Sequence, residues 1–165
     1  MVTYPLGNFV KRHSRLFSIH ITIMTPIHLI LADDDPDDCL IFSEVFKETV
    51  AGGKITCVSD CESLLKYLES ASHGEGECLR PDIIFLDLNM PLMSGQECLK
   101  KLMAHEVCQN VPVIIYSTAS KKDIIDECYA LGASLYVVKP NDTIKLRDTI
   151  LEIIKTFIKR KAIAP

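Results

Sequence analysis

Side chains that could handle a metal ion and a phosphoryl group follow four short apolar runs of this sequence. Three consecutive acids, Asp33, Asp34 and Asp35, follow the first run, and Asp87 follows a later one. Carboxylate oxygens are the ligands that Mg²⁺ prefers, and a carboxylate beside a metal can itself accept a phosphoryl group. Hydroxyl and ammonium groups can hold the other phosphate oxygens. The remaining candidates after these runs are Asn89, Ser117, Thr118 and Lys139. If these residues meet, their types predict phosphoryl chemistry on an aspartate.

The elements that precede these residues must lie side by side for such a site to form. Apolar runs typical of strands lie at 27–32, 54–58, 83–86, 111–116 and 135–138. Helical patterns follow them at 36–50, 60–70, 94–105, 121–131 and 142–161. Strict alternation of strand and helix favours a parallel sheet with helices on both faces. Ligands of such sheets bind outside the carboxyl ends of the strands, where the candidate residues stand.

Four stretches of the chain, in order, resemble the receiver domains of two-component response regulators. They are ILADDDPDD, PDIIFLDLNMPLMSG, VIIYSTASKKDII and GASLYVVKP. Each includes a predicted strand end, and the resemblance covers residues 27–160. It implies an α/β fold of the flavodoxin-like, doubly wound type. The five parallel strands would have the order 2-1-3-4-5, with helices on both faces of the sheet.

The resemblance also implies a role for each candidate side chain. Asp87 would be the phosphoacceptor, and Lys139 would bind the phosphoryl group. Asp34 would be a direct Mg²⁺ ligand and Asp33 would act through a water molecule. Asn89 would offer its backbone carbonyl to the metal, so Mg²⁺ is the expected cofactor.

A second set of residues would form the switch of such a receiver. Ser117 stands at the Ser/Thr position at the end of the fourth strand, and Tyr136 would be the switch aromatic that enters space vacated when Ser117 moves inward. Thr118 belongs to the predicted catalytic set but departs from the family, where Ala or Gly is usual. We expect its larger side chain to slow phosphotransfer and hydrolysis. The Lys139–Pro140 bond would be cis, as in the family.

The function implied is that of a phosphoacceptor in a two-component phosphorelay. A sensor histidine kinase or a phosphotransfer protein would donate the phosphoryl group, and the receiver would signal to a target protein through altered protein–protein interaction. It would catalyse only its own phosphorylation and dephosphorylation, as a monomer or a phosphorylation-dependent dimer. Because the last helix uses nearly all residues after Lys139, we expect a stand-alone receiver without a DNA-binding domain. A finer resemblance points to small regulators that partner phytochrome-type kinases.

Other structural and functional interpretations of the same residues are possible. Asp37 and Asp38 are typical caps and dipole partners at the start of a helix. An EF-hand spacing also begins at Asp33, but its glycine position is occupied by Asp38 and a strand precedes it. A phosphatase of the haloacid-dehalogenase type needs Asp-x-Asp, whereas this chain has Asn89 at the second position. A pseudo-receiver would lack Asp87, Asp34 or Lys139, and all three are present.

Composition limits the chain to one ordinary domain. It has 165 residues, of which 48% are apolar and 24% charged, and no run of eighteen apolar residues predicts a membrane-spanning helix. Its seven cysteines lack CxxC pairs and its five histidines are isolated. This pattern favours reduced thiols in a cytoplasmic protein and makes a Cys57–Cys61 metal pair improbable.

The first 23 residues differ from the rest of the chain. They carry three basic residues and no acid, which leaves a net charge of −7 on residues 24–165. A body that acidic is a poor general binder of nucleic acid. We expect 1–25 to be an N-terminal extension, disordered or upstream of a natural start at Met24, with a targeting segment and a packed appendage as the alternatives. The receiver domain would then span 26–161, followed by a tail at 162–165.

Overall fold

The computed structural model describes residues 26–73 and 78–158, which alternate between strands and helices. The strands are β1 (His28–Ala32), β2 (Lys54–Val58), β3 (Ile83–Leu86), β4 (Val113–Ser117) and β5 (Leu135–Val138). The helices are α1 (Pro36–Thr49), α2 (Cys61–His73), α3 (Gly95–Ala104), α4 (Lys122–Ala130) and α5 (Thr143–Phe157). The predicted extension at 1–25 and tail at 162–165 lie outside the described residues, as does the predicted helix end at 161.

One parallel sheet joins the five strands in the order β2-β1-β3-β4-β5. This confirms the predicted fold class and strand order. In the centre of the sheet Ala32 pairs with Leu86, so the residues that follow them, Asp33 and Asp87, are neighbours. At the other side Ser117 pairs with Val138, which brings Lys139 beside the end of β4.

Two apolar layers enclose this sheet. Successive side chains of a strand point to opposite faces, so Leu29 and Leu31 of β1 pack in one layer and Ile30 and Ala32 in the other. Helices α1 and α5 cover the first face, and α2, α3 and α4 cover the second. The central strands β1, β3 and β4 are buried at every position, as expected for strands covered on both faces. The sheet is therefore a rigid base for its carboxyl-end loops.

Two helix starts are fixed close to those loops. Helix α1 begins with Pro36, and the side chain of Asp35 caps it by accepting from the amide of Asp37. A capping box formed by Ser94 and Glu97 starts α3. A Cβ atom on Gly95 would lie 2.3 Å from the Cα of Leu88. Only glycine lets α3 begin this close to the loop that follows Asp87.

A 3₁₀ helix, Glu106–Asn110, separates α3 from β4 and was not predicted. Strand β4 follows it and starts at Val113, two residues later than predicted. The strand ends at Ser117, one residue later than predicted. Ser117 is therefore the last strand residue and is fully buried. No helix among the described residues is both long enough and apolar enough to span a bilayer.

A disulfide bond joins Cys61 and Cys98. The prediction that the cysteines are reduced is wrong for this pair; the other five are free thiols. Cys61 opens α2 and Cys98 lies one turn into α3, and both side chains are buried in the layer between the two helices. The sequence gives no signal for this bond because packing of two helices, not chain spacing, brings the two sulfur atoms together.

Candidate functional site

Three acidic residues converge at the carboxyl end of β1 and β3. The amide of Asp87 donates to the carbonyl of Ala32, and that of Asp33 donates to the carbonyl of Val58, each at 2.9 Å. One oxygen of each of Asp33, Asp34 and Asp87 lies within 4.8 Å of the others. Asp33 and Asp87 are buried, whereas Asp34 is exposed. The predicted acidic residues therefore meet, and their all-oxygen donor set fits a hard divalent cation.

Lys139 reaches into this acidic cluster from the end of β5. Its amide donates to the carbonyl of Ser117 at 2.9 Å, which fixes the backbone at the rim of the sheet. Its Nζ lies 2.7 Å from Oδ2 of Asp33 and 2.9 Å from Oδ2 of Asp87. The ammonium also lies 5.5 Å from the centre of the Tyr116 ring, within the range of a cation–π contact.

The charges in this cluster are strongly coupled. Burial lowers the pKa of Lys139, but its hydrogen bonds to Asp33, Asp38 and Asp87 outweigh burial and raise the pKa above its usual value. Burial raises the pKa of Asp33, and the hydrogen bond from Lys139 only partly offsets this. Lys139 therefore stays protonated at neutral pH, and the buried Asp33 depends on that ammonium for its ionised form.

Asp38 contacts Lys139 as well, at 2.7 Å between Oδ2 and Nζ. The sequence-based interpretation of Asp38 as a simple helix cap missed this ion pair. The cap is instead Asp35, whose Oδ1 accepts from the amide of Asp37 at 2.9 Å. A signal was available: only three residues separate the end of β1 from the start of α1, so an acid in the first turn of α1 can face the same rim as the strand ends.

Polar side chains from two other loops complete the rim. The amide of Asn89 donates to Oδ1 of Asp87 at 3.2 Å. The Nδ2 group of Asn89 donates long hydrogen bonds of 3.4 Å to Ser117 Oγ and to Thr118 Oγ1. Ser117 is buried and Thr118 is exposed. The side chain of Asn89 thus bridges the loop after β3 to the end of β4, next to Asp87.

Tyr136 lies inside the protein. It is 8% exposed, and its hydroxyl donates to the carbonyl of Ala119 at 2.8 Å. The amide of Tyr136 donates to the hydroxyl of Tyr129 at 3.1 Å. The ring therefore has a buried position, and its hydroxyl is held by the loop that follows β4.

The structure also decides one expectation and one rejected alternative of the sequence analysis. No peptide bond between described residues is cis, so the cis bond implied for Lys139–Pro140 is wrong for this structure. The EF-hand spacing is also excluded, because Asp33 follows a strand and the cation-sized cluster joins it to Asp34 and Asp87, not to Asp35.

Comparison with known proteins gives one family and several relatives. The family model described as "Response regulator receiver domain" matches residues 29–151. The two-component response regulator ARR6 of Arabidopsis thaliana is 32% identical over 135 residues, covering 78% of this chain and 71% of that protein. The crystal structure of the phosphorylated cyanobacterial phytochrome response regulator RcpA is similar with a TM-score of 0.71 at 26% identity, over 81% of this chain and 95% of that one. The Mn²⁺-bound form of response regulator Rcp1 has the same fold, with a TM-score of 0.66 at 24% identity over 78% and 92% of the two chains.

Proposed function

Because this chain belongs to the response regulator receiver domain family, we propose that Asp87 is the residue that accepts the phosphoryl group on which such receivers work. The observation that carries this proposal is the 2.9 Å contact of Asp87 with Lys139, within a cluster that includes Asp33 and Asp34. A carboxylate oxygen of Asp87 attacks the phosphorus of a phosphohistidine donor. The P–N bond breaks, its electron pair returns to the imidazole, and an acyl phosphate forms on Asp87.

The same cluster fits Mg²⁺ as the cofactor. Asp33, Asp34 and Asp87 would hold the cation with carboxylate oxygens, Asp34 directly and Asp33 through a water molecule as the family resemblance implies, and Asn89 would add its backbone carbonyl. The site brings together four carboxylates, those of the cluster and Asp38, and one ammonium, so it carries excess negative charge that a divalent cation would offset. When bound, Mg²⁺ lowers the repulsion between the Asp87 carboxylate and the phosphoryl oxygens. Rcp1, which shares this fold, was solved in a Mn²⁺-bound form, and this supports the proposal of a divalent cation.

Lys139 and Ser117 act on the phosphoryl oxygens in this proposal. The ammonium of Lys139 pairs with one oxygen, and the Ser117 hydroxyl donates to another. The exposed hydroxyl of Thr118 accepts a hydrogen bond from Asn89. Its side chain slows both the transfer of the phosphoryl group to Asp87 and the attack of water on the acyl phosphate. The switch couples Ser117 to Tyr136 through the backbone at Ala119, whose amide contacts Ser117 Oγ at 3.5 Å and whose carbonyl holds the tyrosine hydroxyl.

The resulting signal is a change in protein–protein interaction at the face formed by α4, β5 and α5. The donor is a sensor histidine kinase or a phosphotransfer protein, and the target is a protein that prefers one form of this face. The receiver catalyses its own phosphorylation and dephosphorylation and has no external substrate. It works in the cytoplasm, where sensor kinases find ATP, as a monomer or as a dimer formed on phosphorylation.

Incubation with acetyl phosphate and Mg²⁺, followed by intact-mass measurement, tests this proposal. The protein should gain about 80 Da for one phosphoryl group, and EDTA should prevent the gain. Asp87→Asn should abolish it. Asp37→Asn removes an exposed carboxylate nearby and should label like the unmodified protein. Full labelling of Asp87→Asn would overturn the assignment of the phosphoacceptor.

A further inference from the structure

Asp38 is a carboxylate that the proposed phosphoryl chemistry does not use, yet it contacts the lysine at the centre of the site. Its 2.7 Å distance to Lys139 Nζ equals that of Asp33. The Asp38 side chain is 40% exposed, whereas that of Lys139 is 8% exposed. Asp38 is therefore a hydrated carboxylate at the rim that holds a buried ammonium. Its neighbour Asp37 forms no ion pair among residues 26–73 and 78–158.

The hydrogen-bonding capacity of Lys139 is full. An ammonium group has three N–H donors, and Lys139 has three carboxylate acceptors, in Asp33, Asp38 and Asp87. Two of these, Asp33 and Asp87, also belong to the trio that could hold a cation. A divalent cation competes with the ammonium for the carboxylates of Asp33 and Asp87. A phosphoryl group on Asp87 would in addition replace the carboxylate oxygen that accepts from Lys139. Asp38 is outside the trio, so its bond to Lys139 can persist through these changes.

The backbone of α1 makes Asp38 a stable anchor. Pro36 opens the helix and Asp35 caps it, so the first turn that carries Asp38 has a fixed conformation. The helix N-terminus also favours a negative charge in this turn. Helix α1 packs its buried face, with Phe42 and Phe46, against the sheet. The carboxylate of Asp38 is thereby held at a constant position relative to the end of β1.

We propose that Asp38 is a positioning residue, which keeps the Lys139 ammonium beside Asp87 when the cation and the phosphoryl group take over the other two carboxylates. The inference rests on the proposed function of Asp87. Asp38 does not touch the phosphoryl group and acts only through Lys139. Without it, the ammonium loses its acceptor outside the cation cluster and spends less time near the phosphoryl oxygens.

Beryllofluoride binding with Mg²⁺, followed by ¹⁹F NMR, tests this role because beryllofluoride mimics a phosphoryl group on the aspartate. Asp38→Asn should bind beryllofluoride about 5- to 20-fold more weakly than the matched variant Asp37→Asn, the range expected for one weakened charge-assisted hydrogen bond. A simple charge effect has the opposite sign, since removal of a negative charge favours an anion. Asp38→Glu keeps the charge and should restore most of the affinity. An affinity in Asp38→Asn equal to or above that of Asp37→Asn would overturn the proposal.

The side-chain ammonium signal of Lys139, in protein labelled with ¹⁵N-lysine, gives a second readout that needs no phosphorylation. Hydrogen exchange of this buried ammonium should become at least about tenfold faster in Asp38→Asn, because one of three acceptors loses its charge, and stay unchanged in Asp37→Asn. Equal exchange in the two variants would contradict the anchor role. If the unmodified protein binds no beryllofluoride and takes no label, the proposed function fails and the inference fails with it, whereas normal binding by the unmodified protein and equal binding by the two variants overturns the inference alone. Should Asp38→Asn lose its folded amide spectrum, the comparison of Asp38→Glu with Asp37→Asn decides it instead.

Discussion

The Nζ atom of Lys139 lies 2.9 Å from Oδ2 of Asp87, although 52 positions separate the two residues in the chain. Both side chains are almost fully buried. The ammonium therefore neutralises part of the negative charge of the carboxylates, which a divalent metal ion would otherwise neutralise. Lys139 and a divalent cation share the same carboxylates, and this competition can be measured.

Replacement of Lys139 by Met should strengthen Mg²⁺ binding. One unit charge a few ångströms from the cation costs on the order of several kcal/mol at an intermediate dielectric, and solvent screening reduces this to a gain in affinity of about tenfold or more. Without Mg²⁺ the same variant should lose about 3 kcal/mol in the free energy of unfolding, because the buried carboxylates of Asp33 and Asp87 no longer pair with the Lys139 ammonium. Titration calorimetry and urea unfolding measure the two effects, and Lys100→Met, at an exposed position of α3, is the control. Weaker Mg²⁺ binding in Lys139→Met would contradict the shared-carboxylate account.

Much of this site could be predicted from the sequence because its residues directly follow strands. The apolar runs of β1 and β3 locate Asp33 and Asp87, and a parallel sheet brings their ends together without further information. Asp38 was missed because an acid in the first helical turn looks like a cap, although the short connection from β1 to α1 places this turn at the same rim as Lys139. The Cys61–Cys98 bond was missed because it depends on how α2 and α3 pack.

Removal of the Ser117 hydroxyl should separate phosphorylation from signalling. Ser117→Ala should still take a phosphoryl group on Asp87 but lose most of the phosphorylation-dependent change over residues 117–138. A charge-assisted hydrogen bond of about 1.5–3 kcal/mol shifts a two-state equilibrium by roughly ten- to a hundredfold, so its loss is measurable. Amide hydrogen exchange with and without beryllofluoride measures it, and the exposed Ser120→Ala is the matched control. An undiminished response in Ser117→Ala would exclude this hydroxyl as the trigger.

Reduction of the Cys61–Cys98 disulfide should destabilise the fold. The bond closes a loop with a sequence separation of 37, for which the chain-entropy model gives about 3–4 kcal/mol. Dithiothreitol should therefore lower the melting temperature of the unmodified protein. It should have little effect on a Cys61→Ala/Cys98→Ala double variant. Cys128→Ser removes a buried free thiol and should keep the response to dithiothreitol. If dithiothreitol leaves the melting temperature of all three proteins unchanged, the bond does not stabilise the fold in solution.

Leu92 is a site where a substitution should add stability. It has a φ of 68° in the loop after β3, where the amide of Met93 donates to the carbonyl of Pro91 at 2.8 Å. Its side chain is 95% exposed, so little packing would be lost. Leu92→Asn should gain about 0.5–1 kcal/mol because Asn adopts a positive φ at lower cost. Urea unfolding measures the gain, and Leu40→Asn, at an exposed helical position, should instead lose a few tenths. A loss in Leu92→Asn comparable to that in Leu40→Asn would argue against strain at this turn.

The position of the acyl phosphate tests the central claim most directly. The protein is phosphorylated with acetyl phosphate and Mg²⁺ and treated with borohydride, which reduces an aspartyl phosphate to homoserine. Tandem mass spectrometry then locates the homoserine in the chain. The account predicts homoserine at position 87 and at no other aspartate, with none in a sample that contains EDTA. Homoserine at Asp33 or Asp34, or its absence from position 87 in a labelled sample, would contradict it.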